Sequence, residues 1–304
     1  MGDVSGPLLA DGPMPGGTAN RGLVHRIGDT VRRPVAPCRA ATHALLAHLA
    51  AAGFDGAPRV LATDAATETL TYLDGRAGVP PLDAGMLTDA ALVSVAQLLR
   101  RYHQAVASFD PAGYRWPRRV PARFTTGLVS HNDVHPANLI FRDGVATALI
   151  DFDWAGPGSV IWDLAAAARH WSPLCDERDV ADSRQGQAFR RFRLLLDAYG
   201  LALAQRREVA EAILANHDWC RAIITDAASA GHPGFIDYWG RVAGTMARAR
   251  RWCEAHHHDL LAAAGQLTGG AWPAPTPAGL ARPATTYPAG PTCHPGDAGR
   301  NLAR

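Results

Sequence analysis

Residues 131–138 read His-Asn-Asp-Val-His-Pro-Ala-Asn, and Asp151-Phe152-Asp153 begins thirteen positions after Asn138. An acid, an amide and a further acid in this spacing supply one base and two hard-oxygen metal ligands. That is the set phosphoryl transfer from a nucleotide requires. Asp133 is placed to take the proton of an acceptor hydroxyl, with Asn138 and Asp151 as ligands of Mg²⁺. Asp153 is either a further, water-mediated metal contact or a strand-end acid, and Phe152 between the two acids should face the core. The local pattern suits such a site. Leu139-Ile140-Phe141 reads as a strand, Asp143-Gly144 as a hairpin turn, and Val145 to Ile150 as a second strand that ends at Asp151.

At these residues the chain resembles the aminoglycoside phosphotransferase and choline-kinase-like group of small-molecule kinases. The resemblance is carried by His131, Asp133, Asn138, Asp151 and Asp153, and by Trp162-Asp163-Leu164-Ala165; Tyr72-Leu73-Asp74-Gly75 looks like the family's interlobe hinge. It spans roughly residues 14 to 262. It implies an α+β, two-lobed protein-kinase-like fold with a small antiparallel-sheet N-lobe and a larger, mainly helical C-lobe. It further implies ATP or GTP as phosphate donor, Mg²⁺, and a small hydroxyl-bearing acceptor that it does not name. In such a loop His131 is grouped with Asp133, its ring bonding backbone near the metal Asp to fix the loop. Asp163 resembles the family's buried acid that accepts catalytic-loop N–H groups; the alternative is a helix N-terminal acid with only dipole value.

The donor side is less conventional. All 30 basic residues counted as Lys or Arg are arginine, so the lysine that usually grips the α- and β-phosphates in this fold is absent. Arg33 is the expected substitute and Arg32 the lesser candidate, because alternation along a strand lets only one face the cleft. The family's orienting Glu would fall on the next helix, which reads Ala41-Thr42-His43-Ala44, leaving His43 to fill the space. Gly16 and Gly17, with Thr18 and Asn20, either lie over the phosphates or form a plain hairpin turn. Tyr72 and Leu73 of the hinge complete the nucleotide-binding set.

At 304 residues, 47% hydrophobic and 19% charged, the chain has the composition of a soluble globular protein. A net charge of +2 gives no electrostatic case for nucleic acid or a membrane surface. No apolar run approaches the roughly eighteen residues of a spanning helix, and no signal peptide opens the chain, so a cytoplasmic location is expected. Five scattered cysteines, none in CxxC spacing, read as reduced thiols.

The expected organisation is a flexible leader at 1–13, an N-lobe at 14–75, a C-lobe at 76–265 and a disordered tail at 266–304, where Gly, Pro and Ala dominate. Strands are expected at 23–27, 30–33, 59–62 and 69–73, and helices at 39–52, 88–106, 160–171, 186–199, 205–229 and 235–264. Acceptor recognition is expected from the later helices. There Asp176, Glu177, Asp179, Asp182, Asp218 and Asp226 could meet an amino-sugar, and Trp171, Trp219 and Trp239 could offer a π-face or simply be core. A different class, an inactive nucleotide-binding or immunity-type protein, is motivated by the missing lysine and acid.

Overall fold

The computed structural model describes residues 11–14, 17–20 and 22–266. An antiparallel sheet of order β1-β2-β3-β5-β4 forms its N-terminal part: β1 (Gly12–Pro13), β2 (His25–Ile27), β3 (Thr30–Pro34), β4 (Val60–Thr63) and β5 (Thr67–Thr71). Helix α1 (Arg39–Ala51) connects β3 to β4 and buries Leu45, Leu46 and Leu49 on one side. Residues 11–13, expected within a loose leader, instead pair with β2, and Asp11 Oδ1 accepts the Gly28 N–H at 2.8 Å. Residues 1–10 and the 267–304 part of the expected tail lie outside the described residues.

The chain then passes through a close crossing. Gly75 has φ 131°, and a Cβ there would meet the Phe141 carbonyl oxygen at 2.6 Å. Only glycine lets the hinge lie against the catalytic hairpin so closely. Beyond it β6 (Arg76–Ala77) pairs with the hairpin described below, and α2 (Asp89–Val106) begins with the Thr88 hydroxyl accepting the Ala91 N–H at 3.1 Å. The predicted stripe holds, since Leu92, Val95, Leu99, Tyr102 and Val106 are all fully buried. The Tyr102 hydroxyl donates to the carbonyl of Val129 in β7 (Leu128–Ser130), tying the helix to the strand before the catalytic loop.

Strands β8 (Leu139–Arg142) and β9 (Val145–Leu149) form the hairpin read from the sequence, with Asp143 and Gly144 both at positive φ as a type I′ turn demands. The segment after β9 departs from expectation. Asp151 adopts the left-handed conformation at φ 63° and Phe152–Trp154 is a single 3₁₀ turn, so Asp151 and Asp153 do not alternate along an extended strand. Phe152 is buried all the same. Strand β10 (Gly156–Gly158) pairs back onto β7, and α3 (Val160–Trp171) starts with the Ser159 hydroxyl accepting the Trp162 N–H.

Helices α4 (Ala188–Tyr199), α5 (Leu203–Ser229), α6 (Pro233–Ala255) and α7 (His257–Ala264) complete the C-terminal part. The expected single helix 235–264 is broken at His256, whose ring bonds the Trp252 carbonyl and stacks on the Trp252 ring at 4.3 Å. Arg191 is buried at the helix junction, its Nε on the Trp171 carbonyl and its Nη1 on the Leu87 carbonyl and Asp89. Cys175, Cys220 and Cys253 are free thiols as expected, whereas Cys38 is disulfide-bonded. No described helix is long and apolar enough to cross a membrane.

The hinge crossing gives a direct test. Gly75→Ala should lower the urea midpoint by more than Gly113→Ala, which also sits at positive φ but meets nothing within 4 Å. The open position should cost only the left-handed strain of about 1–2 kcal/mol. Equal losses at the two positions would show that the crossing is slack.

Candidate active site

The catalytic loop is pinned from below by one carboxylate. Asp163, fully buried in the first turn of α3, accepts the His131 N–H on Oδ2 and the Asn132 N–H on Oδ1, each at 2.8 Å. His103 Nε2 lies 3.0 Å from the same Oδ2, and its Nδ1 lies 2.9 Å from the Tyr199 hydroxyl. Asn132 holds φ 67°, with its side-chain amide donating to the Trp154 carbonyl. The His131 ring is buried. Its Nδ1 accepts the Asp133 N–H at 3.3 Å, so Nε2 carries the proton given to the Ile150 carbonyl at 3.0 Å. Burial pulls the His131 pKa down, keeping the ring neutral, and its contacts are with the loop and the strand end beside Asp151.

Asp133 and Asn138 face each other across the loop. The Asn138 amide donates to Asp133 Oδ2 at 2.8 Å and to the Asp133 carbonyl at 3.0 Å. That leaves Asn138 Oδ1, a hard acceptor, without a donor among the described residues. Burial first, and then the nearby charge of Asp151, push the Asp133 carboxyl up to about 7, while Asn138 and Arg169 pull it back. A group poised there can exchange a proton near neutral pH.

Arg33 of β3 faces the cleft, and Arg32 points out, its side chain 54% exposed and bonded to Thr67. Arg33 spends its fork on three carboxylates: Nε on Glu68 at 2.7 Å, Nη1 on Asp151 at 3.1 Å and Nη2 on Asp153 at 2.6 Å. Burial opposes its charge, but Asp153, Asp151 and Glu68 outweigh burial and hold the guanidinium above its usual range. His43 of α1 is present, but the acid that orients the arginine is Glu68 on β5, with His43 Nε2 2.6 Å from its other oxygen. Sequence reading missed Glu68 because it began that strand at Thr69. The register pairs Arg33 with Glu68 directly, and the Glu68/Leu70 alternation was the available signal.

Asp151, Asp153 and Asn138 Oδ1 fit Mg²⁺ by donor type, two carboxylates and an amide with substrate phosphates left to complete an octahedron. Among the described residues no group of three His, Cys, Asp or Glu side chains is assembled for a metal. His135 Nδ1 accepts the Ala137 N–H and its ring meets His170 edge-on at 4.6 Å.

A cavity of about 400 Å³ lies between sheet and hairpin. Val31, Leu70, Met86 and Ile150 give it apolar walls, Tyr72 and Leu73 line its hinge side, and Arg33, Asn138 and Asp151 stand together on its wall. Gly17 also lines it, at φ 76°. Gly16 lies outside the described residues. The Arg26 guanidinium stacks 3.8 Å from the Tyr72 ring centre. The tryptophans divide: Trp171 is fully buried core, while the Trp219 indole donates to the Arg119 carbonyl.

Residues 114–195, which hold the catalytic loop and the Asp151 segment, match the phosphotransferase enzyme family. The trifolitoxin immunity protein of Rhizobium leguminosarum bv. trifolii is 31% identical over 261 residues, covering 80% of this chain and 95% of that protein. A homoserine kinase of Rhodopseudomonas palustris is 31% identical over 121 residues, 39% of this chain and 33% of that enzyme. Among solved structures, a choline/ethanolamine kinase family protein from Mesorhizobium loti superposes with a TM-score of 0.59 at 18% identity, covering 86% of this chain and 93% of its own. The GDP complex of aminoglycoside 2'-phosphotransferase-IIIa gives 0.55 at 12% identity, covering 84% and 94%, and these two likenesses establish the two-lobed kinase-like fold. The chain belongs to the phosphotransferase enzyme family.

Proposed function

We propose that the chain moves the γ-phosphoryl group of ATP or GTP to a hydroxyl of a small molecule in a Mg²⁺-dependent reaction. The observation that carries this reading is the pairing of Asp133 with Asn138 at 2.8 Å on a pinned loop that faces Arg33 and Asp151. Asp133 aligns the acceptor hydroxyl and takes its proton as the acceptor oxygen bonds to the γ-phosphorus. The bond from that phosphorus to the β–γ bridging oxygen breaks, and the nucleoside diphosphate leaves with its electron pair. The transition state is loose, so positioning and charge neutralisation supply most of the acceleration. Asn138 and Asp151, with Asp153 beside them, would hold Mg²⁺, which would offset the negative charge of the phosphates. His131 positions the loop through Ile150 and does not itself meet substrate.

Arg33 takes the role of the missing lysine in this reading. Glu68 holds its Nε from the sheet side, and its two Nη groups point to where phosphate oxygens and the cation would arrive. The apolar cavity with Tyr72 and Leu73 on its hinge side takes the base, and Gly17 is part of its lining.

A second reading, a nucleotide-binding immunity-type protein without turnover, is favoured by the relation to the trifolitoxin immunity protein and by the Arg33 grip on both acids. Thermal shift separates the two. A kinase should gain stability from nucleotide by roughly RT ln(1 + [L]/Kd) only when Mg²⁺ is present. Stabilisation that ignores Mg²⁺, without ADP or GDP release for any acceptor, would favour the second.

Two variants test the assigned roles. Asp133→Asn should cut acceptor-dependent ADP release by about 10²-fold or more, with nucleotide affinity nearly unchanged in a binding titration. Normal turnover would remove Asp133 from the base position. Arg33→Ala should weaken Mg²⁺–nucleotide binding at least about tenfold, since each charge-assisted bond contributes about 1.5–3 kcal/mol. Arg32→Ala should change it little, and Arg33→Lys should recover only part because lysine lacks the fork. Equal behaviour of Arg32→Ala and Arg33→Ala would mean that β3 does not hold the phosphates.

A further inference from the structure

A guanidinium whose N–H groups already lie on carboxylates has nothing to offer an incoming phosphate until it gives some of them up. Arg33 is in that position. Its Nε lies 2.7 Å from Glu68 Oε1, its Nη1 3.1 Å from Asp151 Oδ1 and its Nη2 2.6 Å from Asp153 Oδ1. The contacts are not equivalent. Glu68 is only 2% exposed, and its second oxygen lies 2.6 Å from His43 Nε2, so this acid is fixed from both sides. Asp151 is 41% exposed and lines the cavity together with Arg33 and Asn138. Glu68 therefore holds the arginine in place by Nε, and the Nη side is the one that an occupant of the cavity meets.

Asp151 and Asp153 are also the acids that fit Mg²⁺ by donor type. A divalent cation arriving alone meets a guanidinium already seated on one oxygen of each, and the two positive charges repel. Stripping both acids from Arg33 would leave a guanidinium that is 10% exposed with Glu68 as its remaining acid, and a buried charge that loses its partners is costly. The two acids and Asn138 moreover supply too few oxygens to complete an octahedron. Nucleotide phosphates change both conditions. Arg33 can pass its Nη groups from carboxylate to phosphate oxygens, again through charge-assisted bonds, and the released acids are then open to a cation that the same phosphates help to coordinate. Each charge keeps a partner throughout.

We infer that Arg33 reserves Asp151 and Asp153 for a metal that enters with nucleotide: its fork shuts out a free divalent cation and yields the two acids when phosphates take the Nη groups. The inference rests on the metal assignment of the phosphotransferase reading and adds an order of events to it. Metal and nucleotide then bind with positive coupling, each tightening the other by the same factor. Removing Arg33 has effects of opposite sign: nucleotide binding falls, and binding of free metal rises.

The probe is Mn²⁺, with the free ion followed by electron paramagnetic resonance in titrations of the full chain with and without a non-hydrolysable ATP analogue. A chain-free titration corrects for Mn²⁺ held by the nucleotide in solution. The wild type should bind Mn²⁺ at least about tenfold more weakly without nucleotide than with it. Arg33→Ala without nucleotide should bind Mn²⁺ about tenfold or more tightly than the wild type, a coupling of ordinary size. Adding Asp151→Asn to Arg33→Ala should remove that gain. Should Arg33→Ala fail to fold, Arg33→Gln, which keeps a donor for Glu68 and loses the charge, decides in its place. Nucleotide-free wild type that binds Mn²⁺ as tightly as the Arg33 variant would overturn the inference, because the acids would then be open already. So would a gain that survives Asp151→Asn, which would place the new site elsewhere on the chain. Coupled binding that depends on Arg33, with no ADP release for any acceptor, would leave the inference standing and defeat the phosphotransferase reading.

Discussion

The site depends on a carboxylate that touches no substrate. Asp163 has no exposed surface, and a buried charge is tolerated only when its oxygens are satisfied. Here two backbone N–H groups and a histidine ring satisfy them. The reciprocal effect is on the loop. With the His131 and Asn132 amides fixed to one rigid carboxylate at the start of a buried helix, the backbone at 131–133 has a single orientation. Asn132 takes up the left-handed conformation that turns Asp133 away from the core. The Tyr102–Val129 bond and the His103 contact attach the same loop to α2 from its other side. Loop, strand and two helices therefore share one small polar network inside an apolar core. Removing one member of such a network leaves the others buried and unpaired, which costs more than the bond itself was worth.

Above that fixed loop, Arg33 joins the sheet to the 3₁₀ turn after β9. One guanidinium faces Glu68, Asp151 and Asp153, an excess of negative charge even with His43 beside Glu68. Arg33 meanwhile keeps Asp151 and Asp153 at defined positions, because a bidentate fork fixes direction as well as distance. The positive φ at Asp151 has the same consequence, turning both acids toward β3 although the backbone between them is not extended.

What the sequence disclosed and what it withheld follow one physical division. The catalytic loop, the β8–β9 hairpin and the α2 stripe are local in the chain, so Asp133, Asn138 and the Asp143-Gly144 turn could be read from spacing and turn chemistry. Glu68 was hidden because it acts across a strand pair, thirty-five positions from Arg33, and a strand begun at Thr69 left it out of the pairing. The conformation of Asp151 was misread as strand because an αL residue there has no glycine to announce it. The break at His256 was missed because neither Gly nor Pro marks it in the sequence.

The use of arginine where this fold usually carries lysine explains the altered wiring around it. Lysine ends in one point charge, so a single acid reaching in from a helix can hold it at the tip. Arginine also donates from Nε, midway along the side chain and close to its own strand. A partner for Nε must stand beside that strand, and the residue directly opposite on the paired strand is about 5 Å away at Cβ. Glu68 occupies that place and holds Nε at 2.7 Å. An acid on α1 would then crowd a second negative charge against Glu68. The helix instead presents His43, a ring nitrogen 2.6 Å from the free oxygen of Glu68, so α1 remains in the network as a partner of the acid and not of the arginine. In this chain the acid that orients the arginine therefore stands on the sheet, and both Nη groups are directed at Asp151 and Asp153.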